Sequence, residues 1–287
     1  MKILHTADWH LGQTFYEYDR REEHFHFLEW LKQQIKQHEI DVLLIAGDVF
    51  DSPNPSAESQ RVYYRFLREV TSENPSLQIV IIAGNHDSAA RLEAPNPLLE
   101  DMNIIVRGTV RRNAEGDIDL QHFIVPLYTE GKVTAYCLAV PYLRQGDYPS
   151  AENYSKGVQQ LYEQLFNKVK EKGIPVVAMG HLQATGSEIS EDDRSERTVI
   201  GGLECVSPDA FNEAITYTAL GHLHRSQRVS HRENVRYSGT PMPMSFAEKN
   251  NASGVVMITI DTEGTNIEKL EFQPLAGLVS IPPEARP

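Results

Sequence analysis

Cysteine and uninterrupted hydrophobic sequence are both scarce in this 287-residue chain. The two cysteines, Cys137 and Cys205, lie in different segments, with no CxxC neighbour and no histidine at zinc-ligand spacing. A chain of this length needs no disulfide to fold, so both are expected as buried free thiols. No run approaches the roughly 18–20 apolar residues of a membrane span. The opening "MKILHTADWHLG" has no apolar stretch before its first histidine. It does not read as a secretory leader, so the cytoplasm is the expected location. Basic residues are also outnumbered, 27 Lys+Arg against 40 Asp+Glu, for a net charge of −13. Alone, that weighs against nucleic-acid binding. Bound cations are absent from the sum, however, and Glu188, Glu191, Asp192, Asp193 and Glu196 crowd one segment that reads as a solvated loop.

Apolar residues at 40% and charged residues at 23% fit a soluble globular protein. Short apolar runs alternate with longer amphipathic ones. "KILHT" (2–6), "DVLLIA" (41–46) and "LQIVIIA" (77–83) read as strands, and the second does not alternate, so burial on both faces is expected. Between them, 20–38 and 56–72 carry apolar residues at helical spacing, such as Phe25, Leu28, Leu31 and Ile35, then Val62, Phe66 and Val70. This βαβαβ rhythm implies a parallel sheet with right-handed crossovers. Several short strands are expected over 104–143, with turns at "RNAEGD" and "YTEGK", then a helix over 155–172 ended by Gly173 and a buried strand "PVVAMG". Further strands are expected near 197–201, 216–220, 225–230 and 234–238, and a closing hairpin at 254–261 and 266–272. The expected fold class is mixed α/β: a four-layer α-β-β-α sandwich of two mixed sheets.

Polar clusters recur where strands should end. They are "TADWHLG" with Asp8 and His10, "AGDVFD" with Asp48 and Asp51, "AGNHDS" with Asn85, His86 and Asp87, "MGHL" with His181, and "LGHLHR" with His222 and His224. In open α/β sheets ligands gather beyond the carboxyl ends of strands, so all these groups can meet at one place. On an extended segment, residues two apart point the same way; Asp8 and His10 would then share one ion while Trp9 faces elsewhere, and His222 and His224 would do likewise. Glycines 47, 84, 180 and 221 each precede a polar residue, permitting a sharp turn or a close backbone approach. Singly, each cluster has an ordinary reading, since Asn and Asp also favour turns. Their occurrence together, in this order, points to a metal site. Carboxylate, imidazole and amide donors without thiolate suit manganese, iron or zinc. A bound divalent ion is often the largest local charge, so the acidity of the chain does not exclude a locally positive site.

The series "DWH", "GDVFD", "GNHD", "GHL" and "GHLH" resembles the calcineurin-like metallophosphoesterase superfamily. "ILHTADWHLGQTF", "IAGDVFD", "IGGLECVSPDAF" and "VRYSGTPMPMSF" further resemble the SbcD family of bacterial nuclease subunits, related to the Mre-type DNA repair nucleases. The likeness covers residues 1 to about 272. It implies a nuclease core over 1–272, with 273–287 an irregular tail toward a capping domain absent or truncated here. It places one metal on Asp8, His10, Asp48 and His224 and a second on Asp48, Asn85, His181 and His222, with Asp48 bridging and manganese as the metal. It makes His86 the acid that protonates the leaving oxygen, and Asp51 the residue that orients it. The implied activity is 3′-to-5′ exonuclease and hairpin endonuclease action on DNA. The implied partners are an SMC-like ATPase of the SbcC type, in a nucleoid-associated heterotetramer, and a second copy of the chain. A phosphodiesterase or phosphatase acting on small nucleotides or phosphoproteins would carry the same metal site, and a non-catalytic scaffold the same fold. Asp87 is expected to steady a turn or to cap the following helix. His5, His24, His26, His38, His122 and His231 fall outside the site, with His5 expected in the core. Arg20, Arg21, Arg61, Arg91, Arg144 and Arg225 are candidate phosphate contacts, and Arg225 is the best placed.

Overall fold

In the computed structural model, residues 1–187 and 205–279 are described. The acidic run 188–196 and the strand expected near 197–201 lie outside them. The chain opens with β1 (Lys2–Thr6), then a small hairpin of β2 (Thr14–Phe15) and β3 (Tyr18–Asp19). Tyr16 and Glu17, between the two, both have positive φ, the geometry of a two-residue hairpin turn. Because neither is Asn, Asp or Gly, the usual composition signal is missing and the hairpin is not legible in sequence.

Helix α1 (Arg21–His38) places Glu22 and Glu23 in its first turn and Lys36 and His38 in its last, complementing the helix dipole. After β4 (Val42–Ala46), α2 (Ala57–Glu73) is capped by Ser56, whose hydroxyl accepts from the Ser59 amide at 3.0 Å. Then come β5 (Gln78–Ile82), the short helices α3 (Ala89–Glu93) and α4 (Asn96–Leu99), β6 (Ile104–Arg107), the one-turn α5 (Leu120–Phe123), β7 (Ile124–Thr129) and β8 (Lys132–Ala139). Helix α6 (Tyr154–Val169), capped by Asn153, runs on through a 3₁₀ turn and stops at Gly173 in the left-handed region. The remaining strands are β9 (Val176–His181), β10 (Tyr217–Gly221), β11 (Gln227–Val229), β12 (Arg232–Tyr237), β13 (Gly254–Asp261) and β14 (Gly264–Glu271).

Two six-stranded sheets result, ordered β14-β13-β1-β4-β5-β6 and β11-β12-β10-β9-β8-β7. In the first sheet β1, β4, β5 and β6 run parallel, and β13 and β14 add to the β1 side antiparallel. In the second β12, β10, β9 and β8 run parallel, and antiparallel β11 and β7 close both edges. Strand periodicity divides the core. Leu43 and Ile45 face α1 and α2 together with Phe27, Leu31 and Phe66, whereas Val42, Leu44 and Ala46 face the second sheet at Val177, Met179 and Ala219. A third cluster packs α6 through Leu161 and Leu165 onto Leu138, Ala178 and Leu220. The layers are therefore α-β-β-α, and β4 lacks alternation because both its faces are covered. Each such Leu or Ile stabilises the fold by roughly 1.5–3 kcal/mol. Cys137 is buried between the sheets, where burial pushes its thiol well up, whereas Cys205 is only half-buried. The expectation of two buried thiols thus holds for the first alone.

Candidate active site

The loops beyond β1, β4, β5, β9 and β10 meet at one end of the sandwich. The loop after β1 lies along the loop after β4, through the amides of Asp8, His10 and Leu11 bonding to the carbonyls of Gly47, Asp48 and Val49 at 2.9–3.0 Å. Asp8 and His10 do not sit on an extended segment. Both have positive φ, 54° and 46°, as do Asp48 at 49° and His222 at 102°. The convergence of Asp8 with His10 therefore comes from two left-handed kinks and not from strand alternation. Left-handed backbone at non-glycine residues is strained, and such strain collects at functional sites. Trp9 does face elsewhere: its ring packs edge-on against Phe27 and Phe66, and its indole N–H donates to the Thr6 hydroxyl at 2.9 Å.

The side chains form one cluster. Asp48 Oδ1 accepts from the His86 amide at 2.8 Å, while Oδ2 lies 3.2 Å from His181 Nε2 and 3.8 Å from His10 Nε2. The Asp8 carboxylate accepts from the His222 amide at 3.0 Å. Asn85 Oδ1 is 3.0 Å from both His181 Nε2 and His222 Nδ1. The ring of His10 stacks edge-on against those of His86 and His224. Donor atoms of Asp8, His10 and His224 lie within 4.8 Å of one another, as do those of Asp8, Asp48 and His181, and those of His10, Asp51 and His86. The structure therefore brings together Asp8, His10, Asp48, Asp51, Asn85, His86, His181, His222 and His224.

Burial opposes ionisation of Asp48, but the facing imidazoles of His181, His10 and His86 outweigh it and hold the carboxyl well below the usual range. Asp8, equally buried, is pushed up by desolvation, which outweighs the opposing imidazoles of His181 and His224. Burial also works against a charged His181, yet Asp48, Asp8 and the Ala46 carbonyl raise it to about 9. Burial and the neighbouring His181 lower His222 to about 3. Asp48 and His181 thus favour their charged forms, whereas Asp8 and His222 favour their neutral ones. Neither ring nitrogen of His10 makes a directed hydrogen bond although the residue is buried, and buried polar atoms normally find partners. This donor set fits a divalent cation. An imidazole binds metal through an unprotonated nitrogen, so a cation held by His181 would displace its proton.

Outer contacts fix these rings. His181 Nδ1 donates to the Ala46 carbonyl at 2.8 Å, which leaves Nε2 facing the cluster. His224 Nδ1 lies 2.9 Å from Glu248 Oε1, and the other oxygen of Glu248 accepts from the Met244 amide at 2.8 Å. Glu248 is buried. Sequence reasoning missed it, because it follows no strand and bears no spacing relation to a cluster residue. His86, half-buried, is held through Nδ1 by the Asp51 carbonyl at 3.0 Å, whereas the Asp51 carboxylate lies 3.3 Å from His10 Nδ1. Asp51 thus holds His86 with its main chain and faces His10 with its side chain.

Asp87 steadies its turn by accepting from the Gly84 amide at 2.9 Å. It also accepts from the Val49 and Phe50 amides at 3.2 and 3.0 Å, and so ties the β5 loop to the β4 loop. Burial and the Asp48 charge raise it to about 6 against those bonds. It does not cap α3, which has no side-chain cap. Gly84 has no positive φ; what it provides is a close approach, since a Cβ there would lie 2.1 Å from Asp48 Oδ1.

His5, His24, His26, His38, His122 and His231 stand outside the cluster. His5 Nδ1 meets the Tyr217 hydroxyl in the core at 2.9 Å. Arg20 is not a phosphate contact: it is buried, paired with Glu23 at 2.8 Å and bonded to the Pro243 carbonyl at 2.6 Å. Arg21 pairs with Asp19, Arg61 with Glu58 and Arg91 with Asn54, all at the surface. Arg144 and Arg225 are exposed. Among the described residues, no helix is long and apolar enough to cross a membrane.

A family profile described as calcineurin-like phosphoesterase matches residues 1–226. The chain is 41% identical over 272 residues to the SbcD subunit of the nuclease SbcCD from Rhodobacter capsulatus, covering 91% of this chain and 66% of that protein. It is 32% identical over 296 residues to the SbcD protein of Escherichia coli K12, covering 97% and 70%. The chain thus spans about two thirds of the length of these relatives. In fold it is similar to a solved structure described as GAP50, the anchor in the inner membrane complex of Plasmodium, with a TM-score of 0.53 at 10% identity over 94% of this chain and 84% of that one.

Proposed function

Because the chain belongs to the calcineurin-like phosphoesterase family, we propose that it is a metal-dependent nuclease that hydrolyses DNA phosphodiester bonds. The observation that carries this reading is the convergence of Asp8, His10, Asp48, Asn85, His181, His222 and His224 in a chain whose relatives are nucleases. In this reading Asp8, His10, Asp48 and His224 hold one divalent ion, and Asp48, Asn85, His181 and His222 a second, with manganese the favoured metal. When bound, the ions supply Lewis-acid charge for the phosphoryl oxygens and make water a better nucleophile.

The chain's own residues do the rest. Glu248 and the Ala46 carbonyl fix the rings of His224 and His181. The His222 amide fixes the Asp8 carboxylate. His86 is half-buried with Nδ1 donating to the Asp51 carbonyl, so in its doubly protonated form Nε2 is the atom that gives a proton to the leaving oxygen. The nuclease core occupies 1–272 and acts from a cytoplasmic, nucleoid-associated complex with an SMC-type ATPase resembling SbcC, on duplex ends and hairpins, as a homodimer. The names of the relatives support the partnership.

The test is hydrolysis of end-labelled blunt duplex and hairpin DNA with manganese. The expected result is 3′-to-5′ shortening and hairpin opening, abolished by a chelator and reduced roughly 10²–10⁴-fold in His86→Ala. Cleavage of small phosphoesters alone would move the assignment to the phosphodiesterase or phosphatase reading.

A further inference from the structure

Two segments joined closely in sequence to residues of the cluster carry aromatic rings into solvent. Phe15 and Tyr16 sit on the β2–β3 hairpin a few residues past His10, and Phe246 opens the 3₁₀ turn that ends at Glu248, the partner of His224. Tyr16 is 81% exposed, and Phe246 41%. The Phe246 ring lies 5.6 Å from that of Phe15 and 6.0 Å from that of Tyr16. Single exposed apolar residues need no explanation, but a contiguous group beside a site does.

This group is held in place. Arg20 donates to the Gln13 side chain at 2.9 Å and to the Pro243 carbonyl at 2.6 Å, pairs with Glu23, and lies 5.5 Å from the centre of the Phe15 ring. One buried guanidinium therefore locks the hairpin to the segment that carries Phe246. Arg20, one of six candidate phosphate contacts, instead positions aromatic rings.

We propose that Tyr16 and Phe246, backed by Phe15, form a stacking platform for an unpaired nucleobase next to the scissile phosphodiester. The proposal rests on the nucleic-acid reading above. A phosphodiester at the cluster has a nucleoside on either side; Phe246 shares its 3₁₀ turn with Glu248, the partner of His224, and the Phe246 ring meets the hairpin that follows the His10 loop. Every base offers a π-face, so aromatic stacking binds single strands without sequence preference. Glu17, exposed at the hairpin tip, disfavours a phosphate there and leaves the base as the group to be bound.

Steady-state cleavage tests this with two oligonucleotides, one natural and one abasic at the nucleotide flanking the cut. Wild type is expected to show a KM roughly 5- to 100-fold lower for the natural strand, the worth of one stacked base. Tyr16→Ala combined with Phe246→Ala should raise the natural KM to the abasic value at little-changed kcat, with no further loss on the abasic strand. Tyr16→Phe, which keeps the ring, should behave as wild type. If wild type cleaves both strands and the double variant keeps the wild-type ratio, the platform is refuted while the nuclease reading stands. Unchanged cleavage with an altered mass in sedimentation would assign the patch to an interface between copies and likewise refute it. If wild type cleaves no oligonucleotide, the nuclease reading fails and takes the platform with it.

Discussion

Gly84→Ala adds one methyl group at the centre of the cluster. Built on the backbone as it stands, that Cβ lies 2.1 Å from Asp48 Oδ1 and 2.4 Å from the Asp48 amide nitrogen. An ordinary contact begins near 3.4 Å, so the carboxylate or the strand must retreat by about 1.3 Å. Neither is free to do so. Oδ1 holds the His86 amide, Oδ2 faces His181, and the Gly84 amide is tied to Asp87. Displacement of about 1 Å in a reacting geometry lowers rate by around 10²-fold. The expected outcome is therefore a loss of roughly 100-fold in kcat/KM for manganese-dependent DNA cleavage, together with weaker metal binding by calorimetry. The melting temperature separates this from unfolding. Gly277→Ala, where a Cβ meets nothing within 4 Å, serves as the neutral control. If Gly84→Ala kept activity within threefold of wild type, the close approach of the two loops could not be what the site requires.

Glu248→Gln preserves shape but removes the charge facing His224. It should weaken metal binding by about 10- to 100-fold, measured by calorimetry, and an unchanged affinity would show that the ring is held by other contacts. Metal itself should stabilise the fold by ~2.7 kcal/mol at a hundred times Kd. For a chain of this length that is roughly 4–5 °C in melting temperature, a rise that a chelator reverses and Asp48→Asn abolishes. His24 lies outside the site; burial, opposed by its bond to the Trp9 carbonyl and aided by Arg20, lowers it to about 4. A depressed pKa means that its contribution to stability is complete above about pH 6.5 and is lost as pH falls toward 4. That contribution is about 3 kcal/mol. Melting curves between pH 7.5 and 4.5 should therefore fall more steeply for wild type than for His24→Phe, and parallel curves would refute it.

The layers and the cluster were legible because they rest on local signals. Strands such as 42–46 announce themselves by unbroken apolar sequence, and helices such as 57–73 by their spacing. Polar residues placed just past a strand can only stand at its carboxyl end, so Asp8, Asp48, Asn85, His181 and His222 were bound to gather. The β2–β3 hairpin gave no signal because its turn uses Tyr16 and Glu17, which only the closed fold holds at positive φ. Arg20 misled because nothing local distinguishes a buried guanidinium from an exposed one.

Sequence alone therefore determined which chemical groups stand at the strand ends, since strand periodicity and chain order leave them few other places. Only tertiary structure decided what each group faces. The kinks at Asp8 and His10, the Asp87 cross-tie, the Asp51 carbonyl on His86 and Glu248 behind His224 all depend on contacts between segments far apart in the chain. Such contacts have no spacing to read. They exist because two sheets pack face to face and bring loops from opposite ends of the sequence within hydrogen-bond reach.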